Sequence, residues 1–260
     1  RGRGTPLKIV EAYNEQEEGS VVVREIQRLV QAEGYRSGDC AVMYRTNAQS
    51  RSIEEAFVRN GMAYRLVGAT RFYGRREIKD VLAYLRLIHN PLDDISFLRI
   101  VNVPARGIGQ KTVSDLTEWA DRQGLPIFVA LRRLIDEDPP DAPAIAGRSR
   151  RALELFLADV GGWMAAKADH SVIKLLDLVL EGSGYADSVR DGTDEGEDRW
   201  SNIMELRTVA QEYDDLEPAI GLTQFLEEVA LVSDLDELNE PADVPTLLTL
   251  HMAKGLEFPV

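Results

Sequence analysis

Val244-Pro-Thr-Leu-Leu-Thr-Leu-His-Met-Ala-Lys-Gly-Leu-Glu-Phe-Pro-Val260 closes the chain, and its first seven residues have the Val, Thr and Leu content of a buried β-strand. What precedes it gives this strand its meaning. From Asp93 to about Glu240 no strand pattern occurs. Helical patterns follow one another over residues 95–102, 111–122, 127–135, 148–167, 172–181, 199–214 and 223–231. Before Asp93 the signals alternate. Residues 7–12 read as a strand, and a helix follows with Val22, Ile26, Leu29 and Val30 on one face, ended by Gly34 and Gly38. Residues 40–44 read as a short buried strand, and Thr46 or Asn47 caps a helix whose inner face is Ile53, Phe57 and Val58. Gly61 stops that helix, 64–67 is a further strand, and 77–89 is a strongly patterned helix closed by Asn90-Pro91. An α/β layer that is interrupted by helices and then resumes predicts an inserted domain, with crossings near Pro91 and Pro241. The expected parts are 1–91 and 242–260 for the α/β domain and 92–241 for the insertion. The Pro- and Gly-rich runs 136–143 and 190–196 are expected to be exposed, mobile loops.

Composition limits the chemistry. With 44% hydrophobic and 28% charged residues the chain has the balance of a globular protein. One cysteine, Cys40, excludes a disulfide within the chain, and three histidines leave little for a structural zinc site. No apolar run approaches the roughly 20 residues that cross a bilayer. Arg1-Gly-Arg-Gly starts no apolar signal core. A reducing, cytoplasmic setting with no membrane partner is expected. The net charge of −14 hides a division: residues 45–111 carry 12 Lys and Arg against 6 Asp and Glu, whereas 112–260 carry 12 against 31. Binding follows the local field, so the basic segment can hold phosphate on an acidic chain, although solvated Arg-rich helix faces explain it equally well.

Three stretches carry candidate chemistry. Ala41-Val-Met-Tyr-Arg-Thr-Asn-Ala-Gln-Ser-Arg51 delivers Tyr44 and Arg45 to a strand's carboxyl end, a flat ring beside a fixed positive fork. A nucleotide site and plain packing plus a surface charge both fit. Ile100-Val-Asn-Val-Pro-Ala-Arg-Gly-Ile-Gly-Gln-Lys-Thr-Val-Ser-Asp-Leu116 has the helix, tight turn, helix pattern of a helix-hairpin-helix, with Arg106 and Lys111 flanking the turn. An ordinary glycine-containing connection reads the same way, and Gly109-Gln-Lys-Thr112 is not a Walker A loop. In the closing stretch the strand emits Thr249, His251, Lys254 and Glu257 into a loop, as a ligand edge would, or as a core histidine and a surface charge would. The chain then stops directly after this loop, and a fragment of a longer protein is expected.

In this order the stretches resemble superfamily 1 DNA helicases of the UvrD/PcrA/Rep type. Tyr44-Arg-Thr-Asn-Ala-Gln-Ser-Arg51 is similar to their motif IV. Arg71-Phe-Tyr-Gly-Arg-Arg-Glu-Ile-Lys-Asp-Val-Leu-Ala-Tyr-Leu-Arg86 is similar to motif IVa, Asn102–Gly109 to the Gly-Ile-Gly element of the inserted 2B domain, and Thr249–Pro259 to motif V. The resemblance spans essentially the whole chain and is weakest over 123–198. It implies a partial RecA-like, P-loop NTPase-type α/β domain (2A) with a large inserted all-α domain (2B) containing a helix-hairpin-helix-like element.

The resemblance also implies roles. Tyr44 would stack on adenine and Arg45 would reach the γ-phosphate of ATP, as the catalytic charge of this half-site. Glu257 would contact the ribose, with Lys254 and Gly255 near the nucleotide. Thr249 and His251 would face single-stranded DNA or relay between the two sites, Arg71 and Arg75 would lie near the DNA strand, and the 106–112 turn, namely Arg106, Gly107, Ile108, Gly109, Lys111 and Thr112, would contact duplex. Motif IVa arginines paired to Glu77 and Asp80 are the bland alternative. The Walker A and magnesium-binding motifs belong to the family's N-terminal RecA-like domain, an expected partner in the same parent chain, so Mg2+ would be held mainly there. Single-stranded and duplex DNA and repair proteins are the other expected partners. The expected function is part of an ATP-dependent 3′→5′ DNA helicase of repair or replication, inactive as a fragment. The alternatives are a non-catalytic DNA-binding or regulatory module and a helicase–nuclease relative.

Overall fold

In the computed structural model, which describes residues 6–235 and 243–260, the chain forms two compact units. One comprises residues 1–72 with 232–260, the other residues 73–231. In the first unit the order is α1 (Glu15–Arg28), β1 (Ala41–Tyr44), α2 (Ser50–Arg59), β2 (Arg65–Val67) and, after the second unit, β3 (Thr246–Thr249). Asn14 begins α1 by accepting the Glu17 N–H on its side chain at 2.8 Å, with three glutamates in the first turn to suit the helix dipole. Thr46 takes the cap position of a short 3-10 turn that leads into α2.

The sheet has the order β1-β3-β2, with both pairings parallel. Central β3 is apolar because both of its faces are covered: Leu247 and Leu248 are fully buried. Val23 and Ile26 of α1 and Ile53, Ala56 and Phe57 of α2 pack with Leu247, Tyr44 and Tyr64 into one core. Residues 7–12 are not the expected strand. They run without a ladder partner among the described residues, Leu7 is 98% exposed and Ile9 96%. An alternating pattern becomes a strand only where a neighbour offers hydrogen bonds. Beside β1, Val260 accepts the Ala41 N–H at 3.0 Å and donates to Asp39 O at 3.1 Å.

The second unit contains α3 (Arg76–His89), α4 (Asp94–Ile100), α5 (Gln110–Gln123), α6 (Ile127–Glu137), α7 (Gly147–Ala166), α8 (Val172–Gly182), α9 (Tyr185–Val189) and α10 (Asp194–Gln211). Its boundary toward the first unit falls within α11 (Pro218–Leu235). The units therefore divide nearer to Phe72 and Leu231 than to Pro91 and Pro241. The reason is α3, read as the last helix of the α/β layer. Its Ile78, Val81, Leu82, Leu85, Leu87 and Ile88 are buried against α4, α7, α8 and α10. Phe97, Phe128 and Phe156 meet edge to face in the same core. The expected 190–196 loop is shorter than its composition suggested. Thr193 caps α10 by accepting the Gly196 N–H at 3.0 Å, so the acidic run belongs to a helix N-terminus. Within 136–143, Asp141 accepts from Trp119 Nε1 at 3.2 Å and Gln123 at 2.7 Å, which ties the loop to α5.

Candidate nucleotide and nucleic-acid interfaces

The parallel register aligns Tyr44 of β1 with Thr249 of β3 and Val67 of β2 with Leu248, so all three strands end at one edge. Ligands of open parallel sheets sit at such carboxyl ends. Residues 45–49, 68–71 and 250–257 leave from it. The Arg45 and Thr46 N–H groups both donate to Gln49 Oε1, at 3.0 and 3.1 Å, which folds the first loop back onto α2. Leu250 N–H donates to Tyr44 O at 2.8 Å and carries the pairing one residue past β3. Met252 N–H reaches Thr249 Oγ1 at 3.4 Å, and a methyl group added at Gly68 would collide with the Met252 side chain, so the loops after β2 and β3 touch. Arg45, His251, Lys254 and Glu257 are exposed, Thr249 is half-buried, and Gly255 has φ +88°.

Tyr44 departs from expectation. It is only 6% exposed and packs in the core with residues of α1 and α2. Arg71 is half-buried, its guanidinium carbon 5.1 Å from the centroid of the Tyr64 ring. Arg75 is a second correction. It lies in the helical unit and is buried, donating to Asn202 Oδ1 at 2.8 Å, while Asn202 Nδ2 donates to Glu77 Oε1 at 2.6 Å. A buried guanidinium needs such partners, and these hold Arg75 away from solvent.

The second candidate region is the α4–α5 connection. Asn102 Oδ1 accepts from the N–H groups of Arg106 at 2.8 Å and Ile108 at 3.2 Å, and Val103–Pro104 is a cis peptide. Arg106 was expected to face DNA. Its guanidinium instead donates to Ile100 O at 2.9 Å, Pro104 O at 3.3 Å and the Tyr84 hydroxyl at 2.5 Å, and it stands 5.1 Å from the Phe156 ring centroid. Burial raises the Tyr84 phenol above its ordinary value, with Arg106 opposing the shift. Ile108, also expected at the DNA, is 2% exposed and anchors the turn in the core. What the turn does expose is Gly107, at φ +77° where only glycine is comfortable, and Gly109, whose φ of −74° is ordinary and whose Cβ position is open. Lys111 is exposed but pairs with Asp115 at 2.6 Å, and Thr112 is half-buried.

Two contributors escaped the sequence reading. Asn102 shapes the turn, a role its place inside the quoted stretch could have suggested. Arg148, at the start of α7, carries its guanidinium 3.5–3.8 Å from where a Gly107 Cβ would stand. It is exposed and makes no ion pair among the described residues. No local signal linked a residue forty positions away to this turn.

The family model of the UvrD-like helicase C-terminal domain matches residues 1–139 and 158–260. The chain belongs to this family. It is 36% identical over 264 residues to the ATP-dependent DNA helicase PcrA of Bacillus subtilis, covering 99% of this chain and 35% of that one. It is 37% identical over 260 residues to PcrA of Staphylococcus aureus strain Mu50, covering 99% and 34%. It therefore spans about a third of the length of the curated relatives it matches. The UvrD-like match takes in both the sheet edge and the α4–α5 turn. Among the described residues of this UvrD-like chain no helix is long and apolar enough to cross a membrane, and no group of three or more His, Cys, Asp or Glu is placed to hold a metal.

Proposed function

We propose that this UvrD-like chain supplies part of the motor and the duplex-contacting domain of a cytoplasmic, ATP-dependent 3′→5′ DNA helicase. In this reading residues 1–72 with 232–260 are the 2A portion, of RecA-like type, and residues 73–231 are 2B, with the α4–α5 connection as a helix-hairpin-helix-like element. One observation carries the reading. β3, which follows the helical block in sequence, is seated between β1 and β2, so Arg45 and the 250–257 loop leave the same sheet edge. That edge fits ATP by its chemistry: Arg45 offers a charged fork to a phosphate, Glu257 an acceptor for ribose hydroxyls, and Lys254 a second cation beside Gly255, at φ +88°. Bound ATP would supply the phosphoanhydride whose hydrolysis drives stepping. This chain's residues would bind and orient it, while the N-terminal RecA-like domain of the parent provides the Walker lysine and holds Mg2+. For Tyr44, 6% exposed within the core, this burial supports a packing role over stacking on a base.

Thr249, His251 and Arg71 are proposed to face single-stranded DNA. Gly107, Gly109, Lys111, Thr112 and Arg148 are proposed to contact duplex through backbone N–H groups and charge, holding the helix without reading sequence. The test is Arg45→Ala in the full-length protein. DNA-stimulated ATP turnover should fall by about two orders of magnitude, the scale of losing a charged group that stabilises the transition state. Single-strand affinity should stay within about twofold, a change below 0.5 kcal/mol. The reverse pattern, normal turnover with weakened DNA binding, moves Arg45 from the nucleotide to the DNA backbone. Residues 1–260 alone should show no DNA-stimulated ATPase activity.

A further inference from the structure

Glu54 of α2 is 3% exposed although it carries a carboxyl group. Burying such a group is costly unless its oxygens are occupied. Here they are occupied from three places in the chain. Ser50 Oγ, one turn earlier, donates to Oε1. The Tyr64 hydroxyl donates to Oε2 at 3.1 Å, and so does the backbone N–H of Phe72, also at 3.1 Å. The last two donors are the supports of Arg71. Tyr64 is the ring over which the Arg71 guanidinium lies, and Phe72 is the next residue in the chain. Phe57 braces Tyr64 edge-on, with the centroids 5.6 Å apart. An apolar residue would suit α2 beside Ile53, Ala56 and Phe57, but it would leave the Phe72 N–H and the Tyr64 hydroxyl without this acceptor.

We infer that Glu54 is a positioning residue for Arg71. It fixes both the ring beneath the guanidinium and the peptide that follows it, so that the fork is presented to a DNA phosphate in one orientation. A long arginine side chain otherwise loses much rotamer freedom on binding, and pre-ordering its surroundings reduces that loss. The inference rests on the proposed contact between Arg71 and the DNA strand.

The test is a double-mutant cycle in the full-length protein, read as the dissociation constant of a fluorescent oligothymidylate without nucleotide. Arg71→Ala should weaken binding about tenfold, the scale of one charge-assisted hydrogen bond. Glu54→Gln, which keeps the side chain's size but turns an amide toward its donors, should weaken it about three- to tenfold. The double variant should bind no more weakly than Arg71→Ala alone, because both changes remove one interaction. A purely structural role for Glu54 gives additive losses instead, which overturns the inference and leaves the Arg71 contact standing. Unchanged binding by Arg71→Ala removes the contact and the inference together. Tyr64→Phe keeps the ring and deletes one donor, so it serves where Glu54→Gln fails to fold. It should cost about two- to threefold in affinity, only while Arg71 is present. No loss in that variant also overturns the inference.

Discussion

Arg106→Ala separates a turn-building arginine from a DNA-binding one. The truncation removes donors to Pro104 O, Ile100 O, Val101 O and the Tyr84 hydroxyl, together with the packing on Phe156. Ile100 O keeps a partner in the Val103 N–H at 3.0 Å, so the main losses are at Pro104 O, Val101 O and Tyr84. A hydrogen bond to a charged group contributes about 1.5–3 kcal/mol and a cation–π contact about 0.5–1 kcal/mol. Arg106 is half-buried, and water can replace part of this, so a net cost of about 2–3 kcal/mol is expected. For a unit of this size that lowers the unfolding midpoint by about 5–10 °C. All three tryptophans, Trp119, Trp163 and Trp200, lie in the helical unit, so their emission on heating reports that unit. The companion variant is Arg148→Ala, which removes an exposed cation and should leave the midpoint within about 2 °C. Duplex affinity of the full-length protein across a salt series then divides the two. Each neutralised phosphate contributes about 0.9 to the slope of log affinity against log salt. Arg148→Ala should lose that increment and Arg106→Ala should not. An Arg106→Ala protein with an unchanged midpoint and a shallower salt slope would refute the assignment of Arg106 to the fold.

Gly109→Ala should leave stability within about 0.5 kcal/mol, since its φ is −74° and its Cβ position is open, yet weaken binding to duplex-containing junctions more than to single strands. Gly107→Ala, at φ +77°, should instead cost about 1–2 kcal/mol in unfolding experiments. Leu247→Ala, at the fully buried centre of the sheet, should cost about 2–5 kcal/mol in urea denaturation followed by circular dichroism, and a cost under 1 kcal/mol would argue against β3 as the central strand.

The elements were legible wherever one periodicity ran long enough. The 3.6-residue pattern of α3, α6 and α8 and the Val/Thr/Leu run of β3 needed no tertiary information. α9, five residues long, offered no period to read. Which core an element joins was not legible. The apolar stripe of α3 would suit a sheet face as well as other helices, and only packing placed it with α4, α7, α8 and α10. The same limit governs the charged and aromatic candidates. Alternation puts Val42 and Tyr44 on one face of β1 and Met43 on the other, but sequence does not say which face α1 and α2 cover. Covered by them, Tyr44 becomes core. Arg75 and Arg106 were visible as cations while their partners, Asn202 and the 100–104 carbonyls, were not. A sequence displays charge; a fold decides whether that charge is already in use. Arg45, Lys254 and Glu257 kept the exposure that their proposed roles require because each sits in a loop past a strand end.

The strand order has a consequence for how the nucleotide edge comes into being. Among the described residues β1 and β2 do not pair with each other, and β3 is the strand that each pairs with. In sequence β3 lies beyond the whole helical unit, so no ladder of this sheet can form until that unit has been traversed. Closing so long a loop is entropically affordable, since each doubling of its length adds only about 0.6 kcal/mol. A compact helical block between the ends shortens the effective loop further. Contacts of such large sequence separation form slowly, however, whereas the hydrogen bonds that shape the α4–α5 turn join residues within about twenty-five positions of one another, Tyr84 to Ile108, and the Arg106 packing on Phe156 reaches further. The turn can therefore mature on local contacts while the sheet edge waits for its last strand. A substitution that destabilises β3 falls in the unit that carries the proposed nucleotide half-site, and one at Arg106 or Gly107 in the unit that carries the turn.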